Sequence, residues 1–446
     1  MQTPSTVIEN VEQLKEYLQV AIQLEHATIP PYLTAAYSAK IEVNKPSIDI
    51  ISAVAKEEML HLTLAANLLN AIGGQPNLIS ADFVPHYPAH LPTGQDDFDV
   101  SIEKLSDHAL QTFLAIERPT SLKPEQADAV QYIEKTIPVS GQHIDKSMLE
   151  NENPLVPITE AGDGNYEFHY KIAVVPHHQL TAHRREISEA GNSLVPRVST
   201  TSSPEHHLEL HYWSIGEFYK AIHLGFVELA HKMEMKALFA GDPKRQVDPK
   251  YYYSAGGELT AITDLKSALM AIDFIADQGE GSNQRVYDAE GELAHYYRFD
   301  QILKKRYYRD PSRDGARDSA GDPQGGRFPV DMEAVFPIKA NAKISDYDGY
   351  PELKENALLF NGQYKRFLGH LNTAFNGQPE LLGGAFTAEM FRIKVAMERL
   401  IHYPIPGTGE NAAPTFEMDQ FKDPPAVLPS SSTPAPATPA TSVSHV

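Results

Sequence analysis

The chain contains no cysteine. That excludes disulfides, thiolate-held zinc, iron–sulfur clusters and cysteine nucleophiles, and leaves any metal to His, Asp and Glu. Basic residues are scarce beside acidic ones, 38 Lys and Arg against 59 Asp and Glu, for a formal charge of −21. This balance argues against nucleic acid or an anionic membrane surface as partner, because both are recognised through a basic patch. No apolar stretch approaches the ~20 residues that a membrane-spanning helix needs. The opening MQTPSTVIENVEQLKEYL lacks the basic start and apolar run of a signal peptide, so a soluble cytoplasmic protein is expected. There is no His-Glu-x-x-His zinc-protease motif. GGELTA and QGEGSN carry glycines but lack the flanking strand, helix and Lys of a phosphate loop. No Ser-His-Asp arrangement follows from spacing.

What is present reads as mainly helical. Leu14, Leu18, Ile22 and Ile29 recur at helical steps and predict a helix over 9–38, kinked at Pro30-Pro31. Residues 41–47 read as a loop, and 47–72 as a second helix stopped by Gly73-Gly74. The 75–104 stretch is Pro-rich, with DFDVSIEKL as one short strand, and a helix capped by Ser106 follows. Further helices are predicted near 124–136, 204–239, 260–278, 285–308, 351–375 and 387–403, with a strand at YEFHYKIAVV. The tail is a Pro/Ser/Thr/Ala low-complexity run that reads as disordered. The resulting division is a first helical hairpin (1–78), an insertion or lid of mixed structure (79–203), a second helical half (204–310), a C-terminal helical extension (311–425) and the tail (426–446).

Polar residues interrupt the apolar seams of these helices. On the second helix the seam runs Ile51, Val54, Glu58, His61, Ala65, Leu68, Ile72, in steps of three and four. A carboxylate and an imidazole thus face the bundle interior one turn apart. A buried ionised carboxylate costs several kcal/mol unless it is paired or metal-bound. Glu25 interrupts the first helix in the same way. Counted back from the connecting loop, Glu25 and Glu58 both lie roughly 18–20 Å away, at one level of an antiparallel hairpin. Later, Glu217 lies on a stripe with Ser214, Ala221 and Leu224, and Glu292 and His295 lie with Asp288, Phe299 and Ile302. The order Glu, Glu-x-x-His, Glu, Glu-x-x-His matches a carboxylate-bridged dinuclear site in a four-helix bundle. Hard divalent iron or manganese takes bridging carboxylates, and each imidazole caps one ion. One such motif means little in a chain of this length; two on helical seams, each with a lone seam Glu, mean more. Glu228 and His231 form a third Glu-x-x-His three turns beyond Glu217, and level-counting does not choose between them. His207 with His211, and His178 with His183, read as surface histidines. Glu57 and His26 point about 100° away from the proposed ligands, in supporting or exposed positions.

QLEHATIPPYLTAAYS, AKEEMLHLTLAANLLNAIGGQP, SIGEFYKAI, QGEGS and LAHYYRFDQI resemble the ferritin-like domain family related to iminophenyl-pyruvate dimer synthase, of the violacein, rebeccamycin and staurosporine pathways. The resemblance covers about 8–310 and weakens over 345–420. It implies a ferritin-like four-helix bundle with a large insertion and extra C-terminal helices. It also implies Glu25, Glu58, His61, Glu217, Glu292 and His295 as metal ligands. The pathway enzyme is much longer than this chain, so the likeness bears on fold and metal site more than on imine coupling. The expected function is a dinuclear, non-haem oxidoreductase holding two iron ions, with manganese or zinc as alternatives. It would use dioxygen on a small organic, amino-acid-derived precursor of a secondary metabolite. The rival readings are a metal-binding bundle without turnover and a redox-silent dinuclear hydrolase; a homo-oligomer is left open.

Overall fold

The computed structural model describes residues 8–93, 98–120, 130–150, 154–176, 210–252, 259–280, 286–288, 291–309, 321–384 and 388–423. Helix α1 (Val11–Ser38) opens on Asn10, whose side chain accepts from Gln13 N–H at 3.0 Å. It stays helical through Pro30 and Pro31. Helix α2 (Ile41–Ala71) begins after a link of only Ala39 and Lys40, so the expected 41–47 loop is its first turns. They are deformed at Asn44 (φ −103°, ψ 16°), just before Pro46. The Asn44 side chain ties that deformation to Asp331 and Ala334. At the far end Gly73 takes φ +75°, and Gly74 N–H closes on Leu69 O at 2.9 Å, which stops α2. The short link makes α1 and α2 an antiparallel hairpin.

Helix α3 (Asp107–Ile116) starts at Ser106, which accepts from Ala109 N–H. A four-stranded antiparallel sheet follows: β1 (Gln131–Ser140), β2 (Ile158–Gly162), β3 (Asn165–Pro176) and β4 (Leu210–Tyr212). β3 is central, with Gln131 opposite Val174 and Ser140 opposite Asn165 on β1. The helix expected near 124–136 is therefore replaced, from 131 on, by β1; residues 121–129 lie outside the described residues. Alternating Ile133, Ile137 and Val139 suit a pleated strand better than a helix face. The strand expected at 97–105 is a single bridge between Ala89 and Val100.

Helix α4 (Ile215–Lys232) packs against the sheet and pairs with α5 (Leu265–Glu280). It begins at Ser214, not near 204. Helix α6 (His295–Leu303) is much shorter than the expected 285–308. Ahead of it the chain turns back: Gly291 takes φ +85°, Asp288 accepts from Glu292 N–H, and Tyr287 bridges Leu293. The α1–α2 and α4–α5 hairpins form the bundle, and α3 packs on α6 beside it. So α3, from the stretch read as an insertion, is part of the architecture around the site. Helices α7 (Pro351–Phe375) and α8 (Met390–Ile401) pair with each other and lean on α2 and α1. No helix among the described residues is long and apolar enough to cross a membrane.

Candidate metal centre

α1 delivers Glu25, α2 delivers Glu58 and His61, the C-terminal end of α3 delivers Glu117, and the first residue of α6 is His295. All five are 2% exposed or less. They form two sets of three, Glu25–Glu58–His61 and Glu58–Glu117–His295, and within each set the donor atoms lie within 4.8 Å of one another. Glu58 belongs to both. Its Oε2 is 3.8 Å from His61 Nδ1 and its Oε1 is 2.8 Å from His295 Nδ1. Glu25 Oε2 is 3.6 Å from His61 Nδ1, and Glu117 Oε2 is 3.6 Å from His295 Nδ1. The two imidazoles stack with centroids 5.5 Å apart.

A further ring of groups fixes this set. Tyr219 donates to Glu25 Oε1 and Tyr32 to Glu117 Oε1, each at 2.5 Å, which leaves the opposite oxygen of each carboxylate facing its histidine. Behind the rings, His61 Nε2 donates to Gln278 Oε1 and His295 Nε2 to Glu57 Oε2, both at 2.8 Å. That fixes the tautomer with Nδ1 turned inward, the arrangement that supports metal-ligating histidines. Tyr32, Phe113 and Phe299 close an aromatic wall beside Glu117, with centroids 4.6–5.2 Å apart.

The electrostatics show what this arrangement asks for. Burial pushes Glu25 up to about 8. Burial and the charge of Glu58 raise Glu117. Burial alone would lower His61, but Glu25 and Glu58 beside it push it up to about 10. His295 is likewise held well above its usual value against burial, by Glu117, Glu57 and Glu58. Glu58 stays well below the usual carboxylate range, also against burial, because His295 and His61 flank it. Without a cation, protons on the rings must compensate the carboxylates. Yet His295 Nδ1 has no hydrogen-bond partner although Glu58 Oε1 is 2.8 Å away. The two atoms are close without being aimed at one another, as two ligands of one cation are; at ~2.1 Å from a shared ion they would stand about 3 Å apart. The donor set is nitrogen and oxygen only, suited to iron, manganese or zinc.

The ferritin-like family model matches residues 18–304, well over half of the chain. The chain belongs to the ferritin-like family. It is 25% identical over 378 residues to dichlorochromopyrrolate synthase of Lentzea aerocolonigenes; the match takes in 82% of this chain and 29% of that protein. This chain thus spans less than a third of that relative's length. A crystal structure of a ferritin-like protein from Caulobacter vibrioides aligns with 88% of this chain and 95% of its own, at 20% identity and a TM-score of 0.46.

Of the six residues singled out from the sequence, this ferritin-like bundle brings together Glu25, Glu58, His61 and His295. It places Glu217 and Glu292 elsewhere. Because α4 starts at Ser214, Glu217 sits in its first turn, buried, with Oε2 accepting from Ala173 N–H at 2.8 Å and Oε1 from Lys220 at 3.0 Å. It ties β3 to α4, and burial raises its carboxyl against the pull of Lys220. Tyr219, which does face the centre, is two residues on, about 200° around the helix. Glu292 lies in the turn before α6 with its side chain 63% exposed, paired to Arg298 at 3.0 Å. Glu228 and His231 also stand apart: Glu228 pairs with Lys135 and Lys232, and His231 donates to Pro138 O. His26 is buried and bonded to Tyr364, while Glu57 is the buried support of His295. His178, His183 and His207 lie outside the described residues. Glu117 is the residue that sequence reasoning missed. Its signal was there: Leu110, Phe113 and Glu117 step three and four along α3, another apolar seam broken by a carboxylate.

Proposed function

We propose that Glu25, Glu58, His61, Glu117 and His295 hold two divalent cations, with Glu58 bridging them, and that the protein is a non-haem di-iron oxidoreductase acting with dioxygen on a small organic substrate. The observation that carries this reading is the division of Glu58 between two buried imidazoles, each with its Nδ1 turned inward and its Nε2 engaged. Bound iron would supply electrons for reducing dioxygen. The protein's own part is positional. Tyr219 and Tyr32 hold one oxygen of each terminal carboxylate, and the aromatic wall keeps water away from Glu117.

Three carboxylates against two divalent ions leave one positive charge in a dry site, since Glu57 is already neutralised by Arg298. A surplus of that sign favours an anionic substrate, such as an amino-acid-derived carboxylate. The likeness to a synthase of dichlorochromopyrrolate agrees with a place in secondary-metabolite chemistry. The test is anaerobic loading with iron(II), elemental analysis, and oxygen uptake. About two irons per chain with oxygen consumption, both lost in Glu58→Ala, is expected. Fewer than about one metal per chain sinks the metal centre; two metals with no oxygen consumption sink the oxidoreductase and leave a metal-holding bundle.

A further inference from the structure

The two halves of the centre share one design and differ most in what stands behind each imidazole. Tyr219 on Glu25 mirrors Tyr32 on Glu117, at the same 2.5 Å. But His61 Nε2 donates to a neutral amide, Gln278, whereas His295 Nε2 donates to a carboxylate, Glu57. Arg298 grips both Glu57 oxygens, at 2.9 and 2.8 Å, and is itself paired to Glu292. A carboxylate draws the Nε2 proton more strongly than an amide does, and so makes the opposite nitrogen a better electron donor to a cation. The bridging group leans the same way. Its Oε1 stands 2.8 Å from His295 Nδ1, whereas its Oε2 stands 3.8 Å from His61 Nδ1 and also meets the Thr28 hydroxyl at 3.3 Å, whose one proton it shares with the Glu25 carbonyl at 2.8 Å. The structure gives Glu58 Oε1, on the His295 side, no such competitor among the described residues.

From this we infer that the centre is built unequal: the Glu58–Glu117–His295 half takes a divalent cation first and holds it more tightly, and the Glu25–Glu58–His61 half is the looser, exchangeable position. Glu57 is then the positioning residue that sets the difference, and Gln278 marks the weaker side. The inference rests on the two-cation reading above. It also gives Glu292 a role consistent with its place, as the outer member of a chain from the surface through Arg298 and Glu57 to His295.

The test is an anaerobic titration of the full-length protein with manganese(II), free ion being counted by its paramagnetic resonance. Two equivalents are expected, at least about tenfold apart in affinity. His61→Ala should keep the tighter equivalent and His295→Ala only the looser. Glu57→Gln should weaken the tighter one by about 10–100-fold and leave the other nearly unmoved. Gln278→Glu, which leaves the Arg298 pair intact, should tighten the looser one and narrow the gap. Two equal equivalents in the unsubstituted protein, a tight equivalent surviving in His295→Ala, or Glu57→Gln loosening both alike would overturn the inference while leaving two bound cations. Binding of fewer than two ions by the unsubstituted protein would overturn it together with the two-cation reading.

Discussion

Replacing Glu58 with Gln keeps the side chain's shape and removes the charge that both half-sites share. The structure makes this substitution different in kind from its neighbours. Glu58 Oε1 faces His295 and Oε2 faces His61, so its loss strips one of three donors from each set. Glu25→Gln and Glu117→Gln each touch one set only. Removing a supporting group already costs metal sites 10–100-fold in affinity, so a direct anionic donor is taken at about 100-fold. At free metal tenfold above the dissociation constant, a site about 90% filled falls to about 10%. Metal-linked stabilisation per site then drops from about 1.4 kcal/mol to under about 0.1 kcal/mol. For two sites the lost stabilisation is about 3 kcal/mol, a melting shift of roughly 3 °C in a chain of this size.

The assay is elemental analysis after manganese(II) loading and gel filtration, with melting curves recorded with and without metal. Glu58→Gln should lose both ions and the whole metal-dependent shift. Glu25→Gln and Glu117→Gln should each lose one ion and about half of it. Glu217→Gln and Glu292→Gln should keep both ions, because one carboxylate binds Ala173 and Lys220 and the other faces solvent beside Arg298. Retention of both ions in Glu58→Gln, or in Glu117→Gln, would refute the reasoning, as would loss of an ion in Glu217→Gln.

Metal loading at pH 7 should release protons: Glu25, pushed up to about 8, and His61, up to about 10, both hold theirs in the metal-free protein. A pH-stat should record more than one proton per chain, with affinity rising between pH 6 and 8; loading without acid release contradicts this. Glu217→Ala should cost about 1–3 kcal/mol in denaturant unfolding, since it leaves Ala173 N–H and Lys220 buried without their acceptor, and should leave metal content unchanged. Asp273 is pushed by burial, and by Asp277, up to about 8. Its raised folded-state value favours the fold only at low pH, and that contribution is lost as pH climbs from about 4 to 8. Asp273→Asn should therefore be more stable than the unsubstituted protein at pH 8, with the gain shrinking toward pH 5; an equal melting point at pH 8 would count against the burial. Gly241→Ala would put a Cβ 1.8 Å from Asn70 O, a backbone clash at the end of α2, and should lower the melting point by about 1–3 °C.

The helices that carry the centre differ in how openly the sequence displays them. α1 and α2 are long, and a polar residue on an apolar seam is conspicuous there; Glu25, Glu58 and His61 were legible for that reason, down to the level at which they meet. α3 shows the same break at Glu117, but it spans only Asp107–Ile116, and one carboxylate at the end of a ten-residue helix carries little periodic signal. Glu292 shows the limit of spacing as an argument. Glu-x-x-His places two side chains together on a helix, yet the same four residues can straddle a turn and the helix start. Gly291 at φ +85° and the Asp288 acceptor decide for the turn. For Glu217 the missed cue is local. Ser214-Ile-Gly-Glu217 is the Ser-x-x-Glu pattern of a helix N-terminus, and Ser214 does accept from Glu217 N–H. Once the helix starts there, Tyr219 faces the centre and Glu217 faces the sheet.

These two displacements share a chemical consequence. A set of four carboxylates would neutralise two divalent ions and make a closed, charge-balanced centre. With Glu117 in place of both Glu217 and Glu292, three carboxylates remain, and Glu57, behind His295, is committed to Arg298 and His295. Two divalent cations held there would leave one charge uncompensated in a buried site, which favours an added anion. If the centre holds two divalent ions as proposed, the described residues around these five side chains offer no further free carboxylate, and the balancing charge would come from outside the chain, as hydroxide or as the anionic end of a substrate.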